Sequence, residues 1–221
     1  MSNAMIPSRM LFRFAAPVRR LTKRKKHWNN RSGTPLEAEH RLPELSPLDG
    51  RAAFAEVRCG WSDEGLAFQL RVRGKGQSPW CRAEQPEVSD GLHVWIDTRD
   101  VHNVHRASRF CHRFVFLPGG EGKDHATPMA TWLPIHRAKR DPRRVDPREL
   151  KVRAARSADG YELHAFIPAE SLTGYDPAEH PRLGFQYAVL DRELGHQTFA
   201  AGRPLPYQED PSLWATLELV E

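Results

Sequence analysis

Residues 89–118 read SDGLHVWIDTRDVHNVHRASRFCHRFVFLP and contain two alternating patterns joined by a polar turn. In the first pattern, Leu92, Val94 and Ile96 alternate with His, Trp and Asp. The second places bulky residues at every other position between residues 110 and 117. A period of two with aromatic and β-branched residues indicates strands that have two different faces. This stretch therefore predicts a pair of antiparallel strands, and we expect any site to lie on or beside it.

Similar alternation recurs on both sides of this stretch, with turn residues between the segments. Eighteen prolines argue against long helices. Short strands separated by turns predict an all-β fold, a two-sheet, mostly antiparallel β-sandwich of jelly-roll or immunoglobulin-like type with little helix. The other predicted strands cover residues 11–14, 53–61, 66–73, 129–135, 150–155, 161–167, 183–191 and 215–219, and a long loop is predicted over 192–211.

The chain has 221 residues, which fits one domain. Residues 1–4 resemble an expression-tag remnant, so we expect the native chain to begin at Met5. Residues 5–221 then form a single β-sandwich domain. Its N-terminal part carries an irregular basic arm at about residues 15–47, because that segment shows no sustained hydrophobic period.

The formal charge of +5 is concentrated in two basic loops, at residues 19–26 and 137–148. Either loop could contact a protein partner or phosphates, but solvated loops explain the same pattern. No base-stacking motif accompanies them, so binding to nucleic acid is not expected. No apolar run approaches the ~20 residues that span a membrane, so no membrane association is expected either.

The chain has three cysteines, Cys59, Cys81 and Cys111, and no CxxC motif. Three cysteines cannot all pair within one chain, so the sequence does not predict a disulfide framework. No apolar signal segment follows Met5. These features fit a reducing compartment, and we expect the protein to be cytoplasmic.

Five segments between Ala53 and Leu219 have the order and character of motifs in one known family. Together they resemble family 9 carbohydrate-binding modules and the wider DOMON-like group, which implies a β-sandwich and non-catalytic binding of a saccharide or polyol in a groove. The segments are FAEVRCGWSDEGLAFQLRV, SDGLHVWID, GYELHAFIPAESL, LGFQYAVLDRE and DPSLWATLEL.

The resemblance also implies which residues bind the sugar. Members of the family hold a sugar between two Trp side chains, because a sugar ring has apolar C–H faces and polar edges. By position, Trp80 corresponds to one stacking residue, His93 replaces an acidic residue of the strand, and Arg113 and Gln186 supply hydrogen-bonding groups. These four residues are the predicted ligand contacts that lie before residue 190.

The second stacking residue should come from the loop after Asp191, which contains no Trp. Phe199 is the predicted replacement, and Tyr207 is the other aromatic residue available there. Trp95 is a further ligand-binding candidate as a platform in the groove, although a Trp at this position could equally fill a core. Both interpretations of Trp95 stay open at this point.

Metal binding is the alternative function. The resemblance implies structural calcium, for which Asp97 and Asp100 are suitable oxygen ligands. His102 and His105 follow in the same turn and could bind zinc. Neighbouring Cys111 and His112 point to opposite faces of a strand and cannot share a metal. The chain could therefore be an interaction or metal-binding protein that uses the turn at 97–112 and has lost the sugar site.

An enzyme is the third class considered. The sequence contains no G-x-S-x-G, HExxH, P-loop or Rossmann motif. No pair of carboxylates stands out for glycoside hydrolysis, since Asp191 and Glu193 fit a turn equally well. We therefore expect no catalysis.

Overall fold

The structure is a computed structural model that describes residues 13–21, 28–29, 32–202 and 204–221. Its strands form a seven-stranded sheet and a four-stranded sheet. The large sheet contains β1 (Ala15–Arg19), β4 (Gly91–Asp97), β5 (Cys111–Glu121), β6 (Thr127–Trp132), β9 (Arg182–Asp191), β10 (Gly195–Thr198) and β11 (Ala215–Val220). The small sheet contains β2 (Ala55–Ser62), β3 (Gly65–Arg73), β7 (Lys151–Ser157) and β8 (Gly160–Pro168).

The helical elements of the described residues are 3-10 turns of three or four residues. Pro occupies an early position in most of them, where its missing N–H needs no partner. They lie in the connections between strands and do not contribute a helical layer. Their bounds are Ala38–His40, Ser46–Asp49, Pro86–Val88, Pro147–Glu149, Ala169–Ser171 and Pro211–Leu213.

The strand β4 lies at the centre of the large sheet, whose order is β1-β11-β9-β4-β5-β6. It pairs antiparallel with β5 on one side and with β9 on the other. The small sheet has the order β2-β3-β8-β7, with antiparallel pairing throughout. β1 pairs parallel with β11, so the pairing is antiparallel with this exception among the described strands.

The main core lies between the two sheets and follows from the alternation in sequence. One face of β4 carries Leu92, Val94 and Ile96, all fully buried. They belong to one apolar cluster with residues of β3 in the small sheet, among them Phe68 and Leu70. Every second residue of each inner strand enters this layer, as expected for two sheets packed face to face.

The outer face of the large sheet is also covered, by loops rather than by a third sheet. Trp95 of β4 packs there in a second cluster with Ile135, Tyr207 and Trp214, which come from two of these loops. Such a cover explains why β4 is buried along its whole length, whereas an exposed sheet face would carry solvated side chains.

The two-sheet β-sandwich and its lack of long helices are confirmed, including the hairpin of β7 and β8 and the edge position of β6. Two expectations are wrong. Residues 15–19 begin the predicted irregular arm but form β1, because Ala16 and Val18 bury their side chains while the backbone pairs with β11. Residues 195–198 of the predicted long loop form β10 against β9. The predicted strand at 11–14 lies mostly outside the described residues.

Within the part of the chain that the structure describes, no helix has the length and apolar character needed to cross a bilayer.

Candidate functional site

The central strand brings several predicted ligand residues together on the outer face of the large sheet. Trp95 lies opposite Arg113 of β5 and opposite Gln186 of β9. His93, two residues before Trp95, points to the same face. Residues that are 73 positions apart in sequence, Arg113 and Gln186, thereby flank the same indole.

Trp95 is a packing residue. Its side chain is 0% exposed, and the ring of Tyr207 meets it edge-on, with 5.4 Å between ring centroids. The imidazole of His93 stacks beside it at 6.2 Å. A fully covered indole cannot present a face to a sugar, so the interpretation of Trp95 as core applies and that of a groove platform does not.

Three buried nitrogens in this row lack a hydrogen-bond partner among the described residues. They are Nε2 of His93, Nε1 of Trp95 and Nε of Arg113. An unpaired buried donor or acceptor costs about 1–3 kcal/mol, so native folds contain only a few of them. Three of the ten such atoms among the described residues lie on neighbouring positions of this one face.

His93 is neutral in the folded protein. Burial lowers its pKa to about 3, and the nearby charge of Arg113 lowers it further. The resemblance placed His93 where the family has an acidic residue, so the protein has a neutral ring in place of a carboxylate. Its free Nε2 can donate or accept one hydrogen bond, according to the tautomer.

Arg113 carries the positive charge of this row. Its guanidinium carbon lies 5.2 Å from the centroid of the Trp95 ring, a cation–π contact. Burial lowers the pKa of Arg113, and the carboxylate of Glu87 raises it from beyond ion-pair distance. Among the described residues no side chain forms a hydrogen bond or an ion pair with this guanidinium.

Trp80 lies in the loop before β4 and is half-buried. Its backbone N–H donates to Oδ2 of Asp90 at 2.9 Å, and its carbonyl accepts from the Asp90 N–H at 2.8 Å. Cys81 packs on Val115 of β5, which places this loop on the same outer face as His93. The indole therefore stands beside the end of the row.

Two guanidinium groups contact the Trp80 ring. The Cζ atom of Arg192 lies 3.8 Å from the ring centroid, and that of Arg82 lies 5.3 Å from it. Arg192 immediately follows β9, in the loop from which the resemblance implied a second aromatic plate. A planar guanidinium therefore lies against the indole on this side.

A buried lysine, which the sequence did not indicate, fixes the position of this loop. Nζ of Lys75 lies 2.7 Å from both carboxylate oxygens of Asp191 and 3.6 Å from Oδ2 of Asp90. The carboxylate of Glu193 accepts the backbone N–H groups of Gly76 and of the next residue. No local sequence pattern predicts that Lys75 is buried, because its partners Asp90 and Asp191 follow 15 and 116 residues later in the chain.

Gln186 and Phe199 do not take the ligand-binding positions that the resemblance implied. The Gln186 amide accepts from the Ala200 N–H and donates to the Ala201 carbonyl, both at 2.8 Å, and so is used to hold a loop. Phe199 is 0% exposed in the core between the sheets and contacts Tyr187 at 5.4 Å. Neither side chain is available to a ligand.

Tyr207, the other aromatic candidate, does lie on the outer face. It covers Trp95, and its hydroxyl lies 3.1 Å from Nε2 of His196. Tyr207 is only 2% exposed, so it packs over Trp95 and does not present a free ring face to a ligand. Of the predicted ligand residues, Trp80 and Arg113 thus keep partly exposed side chains, above the buried His93.

The predicted metal residues take part in turn structure. Asp97 is buried, and its two carboxylate oxygens accept the backbone N–H groups of Arg99 and Val101 at 3.0 and 2.8 Å. Burial raises the pKa of Asp97, and these two hydrogen bonds act in the opposite direction. The carboxylate therefore closes the turn that follows β4.

Asp100 and His102 contact each other, whereas His105 contacts a different carboxylate. Asp100 accepts from Thr216 Oγ1 at 2.9 Å and lies 2.9 Å from Nε2 of His102. His105 instead lies 3.0 Å from Asp210. Among the described residues, no group of three or more His, Cys, Asp or Glu side chains is arranged to hold a metal ion. Calcium or zinc binding in this turn stays a prediction.

The basic loop at 137–148 is partly neutralised within the chain. Arg143 pairs with Glu149 at 2.7 Å, and Arg148 pairs with Asp146 at 2.6 Å. Exposed pairs of this kind contribute little stability and leave the loop solvated. Most of the other basic loop, at 19–26, lies outside the described residues, and a protein partner at either loop stays a prediction.

The fold is the β-sandwich of family 9 carbohydrate-binding modules. No protein-family model matches the sequence, and no curated protein matches it. The likeness is structural. A family 9 module from Caldicellulosiruptor kristjanssonii in complex with cellotriose is similar with a TM-score of 0.58 at 14% identity, covering 93% of each chain.

The same bacterium's family 9 module in complex with glucose is similar with a TM-score of 0.58 at 13% identity, over 94% of this chain and 96% of the other. Likeness over nearly the full length of both chains shows that the two sheets and their connections share one architecture. At this identity the likeness defines the fold, and the site has to be argued from the residues of this chain.

Proposed function

We propose that this protein binds a saccharide without catalysis, on the outer face of the large sheet between Trp80 and Arg113. The observation that carries the proposal is the partly exposed Arg113, whose Nε has no hydrogen-bond partner among the described residues, on the same outer face as the loop that carries the half-buried Trp80. The neighbours of the same fold that were crystallised with cellotriose and glucose support saccharide as the ligand class.

The chemistry of the face suits a sugar. Trp80 can cover the C–H face of a pyranose, as aromatic side chains do in saccharide sites, with the part of its ring that Arg192 and Arg82 leave open or where the sugar displaces the more distant Arg82. Arg113 offers two terminal nitrogens as donors for ring hydroxyls. Since Trp80 is fixed through its backbone to Asp90, little side-chain and loop entropy is lost on binding.

Catalysis is not part of the proposal. The carboxylate of Asp90, which binds the Trp80 backbone, and that of Asp191 both face the ammonium group of Lys75. A carboxylate held in this way cannot approach a glycosidic bond as an acid or a nucleophile. Assays for glycosidase and esterase turnover should therefore detect no product above a blank without protein.

The test is binding of mono- and oligosaccharides to the wild type and to Trp80→Ala, by calorimetric titration and thermal shift. A ligand that binds the native state raises the melting temperature of the wild type. We expect Trp80→Ala to lose about tenfold or more in affinity, as removal of a stacking contact of about 1.5 kcal/mol implies. Its melting temperature without ligand should stay close to that of the wild type.

Trp28→Ala is the matched control, because Trp28 is also half-buried but packs with Leu21, Leu36 and Phe166 away from this face. It should keep the affinity of the wild type. Equal losses of affinity in both variants, or a wild type that binds none of the sugars, would refute the proposed site.

A further inference from the structure

We infer that the saccharide bound at this face carries a carboxylate, as a uronic acid does, and that Arg113 recognises it. The inference rests on the proposed function and specifies its ligand class. Arg113 is partly buried on the outer face of the large sheet, and no carboxylate of the described residues is in ion-pair contact with its guanidinium.

A buried charge without a partner is unfavourable, because desolvation is not compensated. Two arginines elsewhere on the described surface, Arg143 and Arg148, are paired with carboxylates. Arg143 forms two hydrogen bonds to Glu149, at 3.0 and 2.7 Å, and Arg148 does the same with Asp146. Arg113 instead lies over the Trp95 ring, with its fork free.

The geometry favours a planar anion over a neutral hydroxyl. A guanidinium presents parallel N–H groups that match the two oxygens of a carboxylate, and such charge-assisted pairs are about twice as strong as neutral hydrogen bonds. The neighbouring His93 is neutral and so adds no second charge. Its ring is only 1% exposed, so Arg113 is the group of this pair that a ligand can contact.

The other charges around the site are accounted for. Asp90, Asp191 and Glu193 surround Lys75 at 3.6, 2.7 and 3.6 Å, so these acids face the ammonium group below the loop. Arg82 and Arg192 lie on Trp80 and extend the positive charge toward the rim.

Glu87 is the one acid whose field reaches Arg113 among the described residues. It is exposed, in the 3-10 turn Pro86–Val88. A carboxylate on the ligand would be repelled by Glu87 and attracted by Arg113, so removing the two charges should change the affinity for an acidic sugar in opposite directions.

The experiment compares galacturonic and glucuronic acid with galactose and glucose, by calorimetric or NMR titration, and includes acetate as a free carboxylate. We expect the wild type to bind at least one uronic acid about tenfold tighter than the matching neutral sugar, the ratio that one charge-assisted hydrogen bond of about 1.5 kcal/mol implies. The preference should weaken as salt increases.

Two variants move the ratio in opposite directions. Arg113→Gln should reduce the ratio of acidic to neutral affinity to about one, while Glu87→Gln should raise it by removing the repelling charge. Lys151→Gln is the control for general charge effects, because Lys151 is exposed on β7 of the small sheet. If Arg113→Gln does not fold, Glu87→Gln still tests the inference.

The outcomes separate this inference from the proposed function. Equal affinity of the wild type for acidic and neutral sugars overturns the carboxylate but leaves saccharide binding intact. Acetate that binds as tightly as the uronic acids overturns the saccharide ligand and leaves an anion site. Binding of no sugar and no acid overturns both, and an acidic preference unchanged in both Arg113→Gln and Glu87→Gln assigns the carboxylate to another residue.

Discussion

Acidification to pH 5 should destabilise this protein through two buried histidines, and His112 allows the effect to be isolated. His112 is 0% exposed on β5, with its ring stacked on Phe114 at 5.9 Å. Burial lowers the pKa of His112 to about 4, and that of His93 to about 3. In the unfolded chain a histidine has a pKa of about 6.5.

The sign follows from proton uptake. Between about pH 4 and 6.5 the unfolded state binds a proton at His112 and the folded state does not, so the free energy of unfolding falls as pH falls through this window. For one such histidine the loss between pH 7 and pH 5 is about 2 kcal/mol, at about 1.4 kcal/mol per unit of pKa difference. His93 contributes a similar loss.

The assay is denaturant unfolding at pH 7 and at pH 5, with the wild type and His112→Leu compared at each pH. Stability should fall less in the variant, by about 2 kcal/mol, because one proton-uptake site is missing from its unfolded state. The raised pKa values of Asp90 and Asp97 act in the opposite direction, but both residues are present in both proteins and cancel in the comparison.

Phe114→Leu is the control, because it alters the same stack without removing a titrating group. Its unfolding free energy should be lower than that of the wild type by the same amount at both pH values. If the difference between wild type and His112→Leu were also the same at pH 7 and pH 5, the argument that burial keeps His112 neutral would be refuted.

Three other predictions concern the buried Lys75, the Gly65 turn of the small sheet and the turn that follows β4. Lys75→Met should lower the free energy of unfolding by about 3–5 kcal/mol in denaturant titrations, because it leaves buried carboxylates such as that of Asp191 without their cation; an effect under 1 kcal/mol would show that the network contributes little. Gly65→Ala should lower the free energy of unfolding by roughly 2 kcal/mol or more, because φ at Gly65 is +140° and the new Cβ would meet the carbonyl oxygen of Ile167. Gly195→Ala is the control: φ there is +103° and nothing lies within 4 Å of the new Cβ, so the free energy of unfolding should fall less in the same assay. If the turn at 97–112 binds calcium or zinc, addition of the metal should raise the melting temperature and EDTA should reverse the rise, and an unchanged midpoint would exclude that site.

The alternation around β4 was sufficient to predict the strands and the sandwich. A period of two determines which side chains share a face, so the sequence by itself places Leu92 and Val94 on one side of the strand and His93 and Trp95 on the other. Weak alternation was not sufficient elsewhere. β10 has four residues, and its pairing with β9 depends on backbone groups that a sequence pattern does not display.

The candidate site could be predicted in part. The grouping of His93, Trp95, Arg113 and Gln186 on one face follows from strand parity plus the family resemblance, and the structure has all four there. The resemblance implies Phe199 as a site residue, but Phe199 lies in the core. Residues that follow a short strand can turn to either face, and here the ring packs against other aromatic rings.

Sequence alone determined most of the strands and which side chains share a face in them, because both depend on periodicity along a single strand; β1 and β10 were exceptions. Only the tertiary structure decided which polar groups lack partners. The Gln186 amide binds a loop, Lys75 pairs with an acid 116 residues away, and Arg113 pairs with no acid among the described residues. These outcomes depend on contacts between distant segments, and the pairing or isolation of a buried charge is what separates a packed face from a binding site.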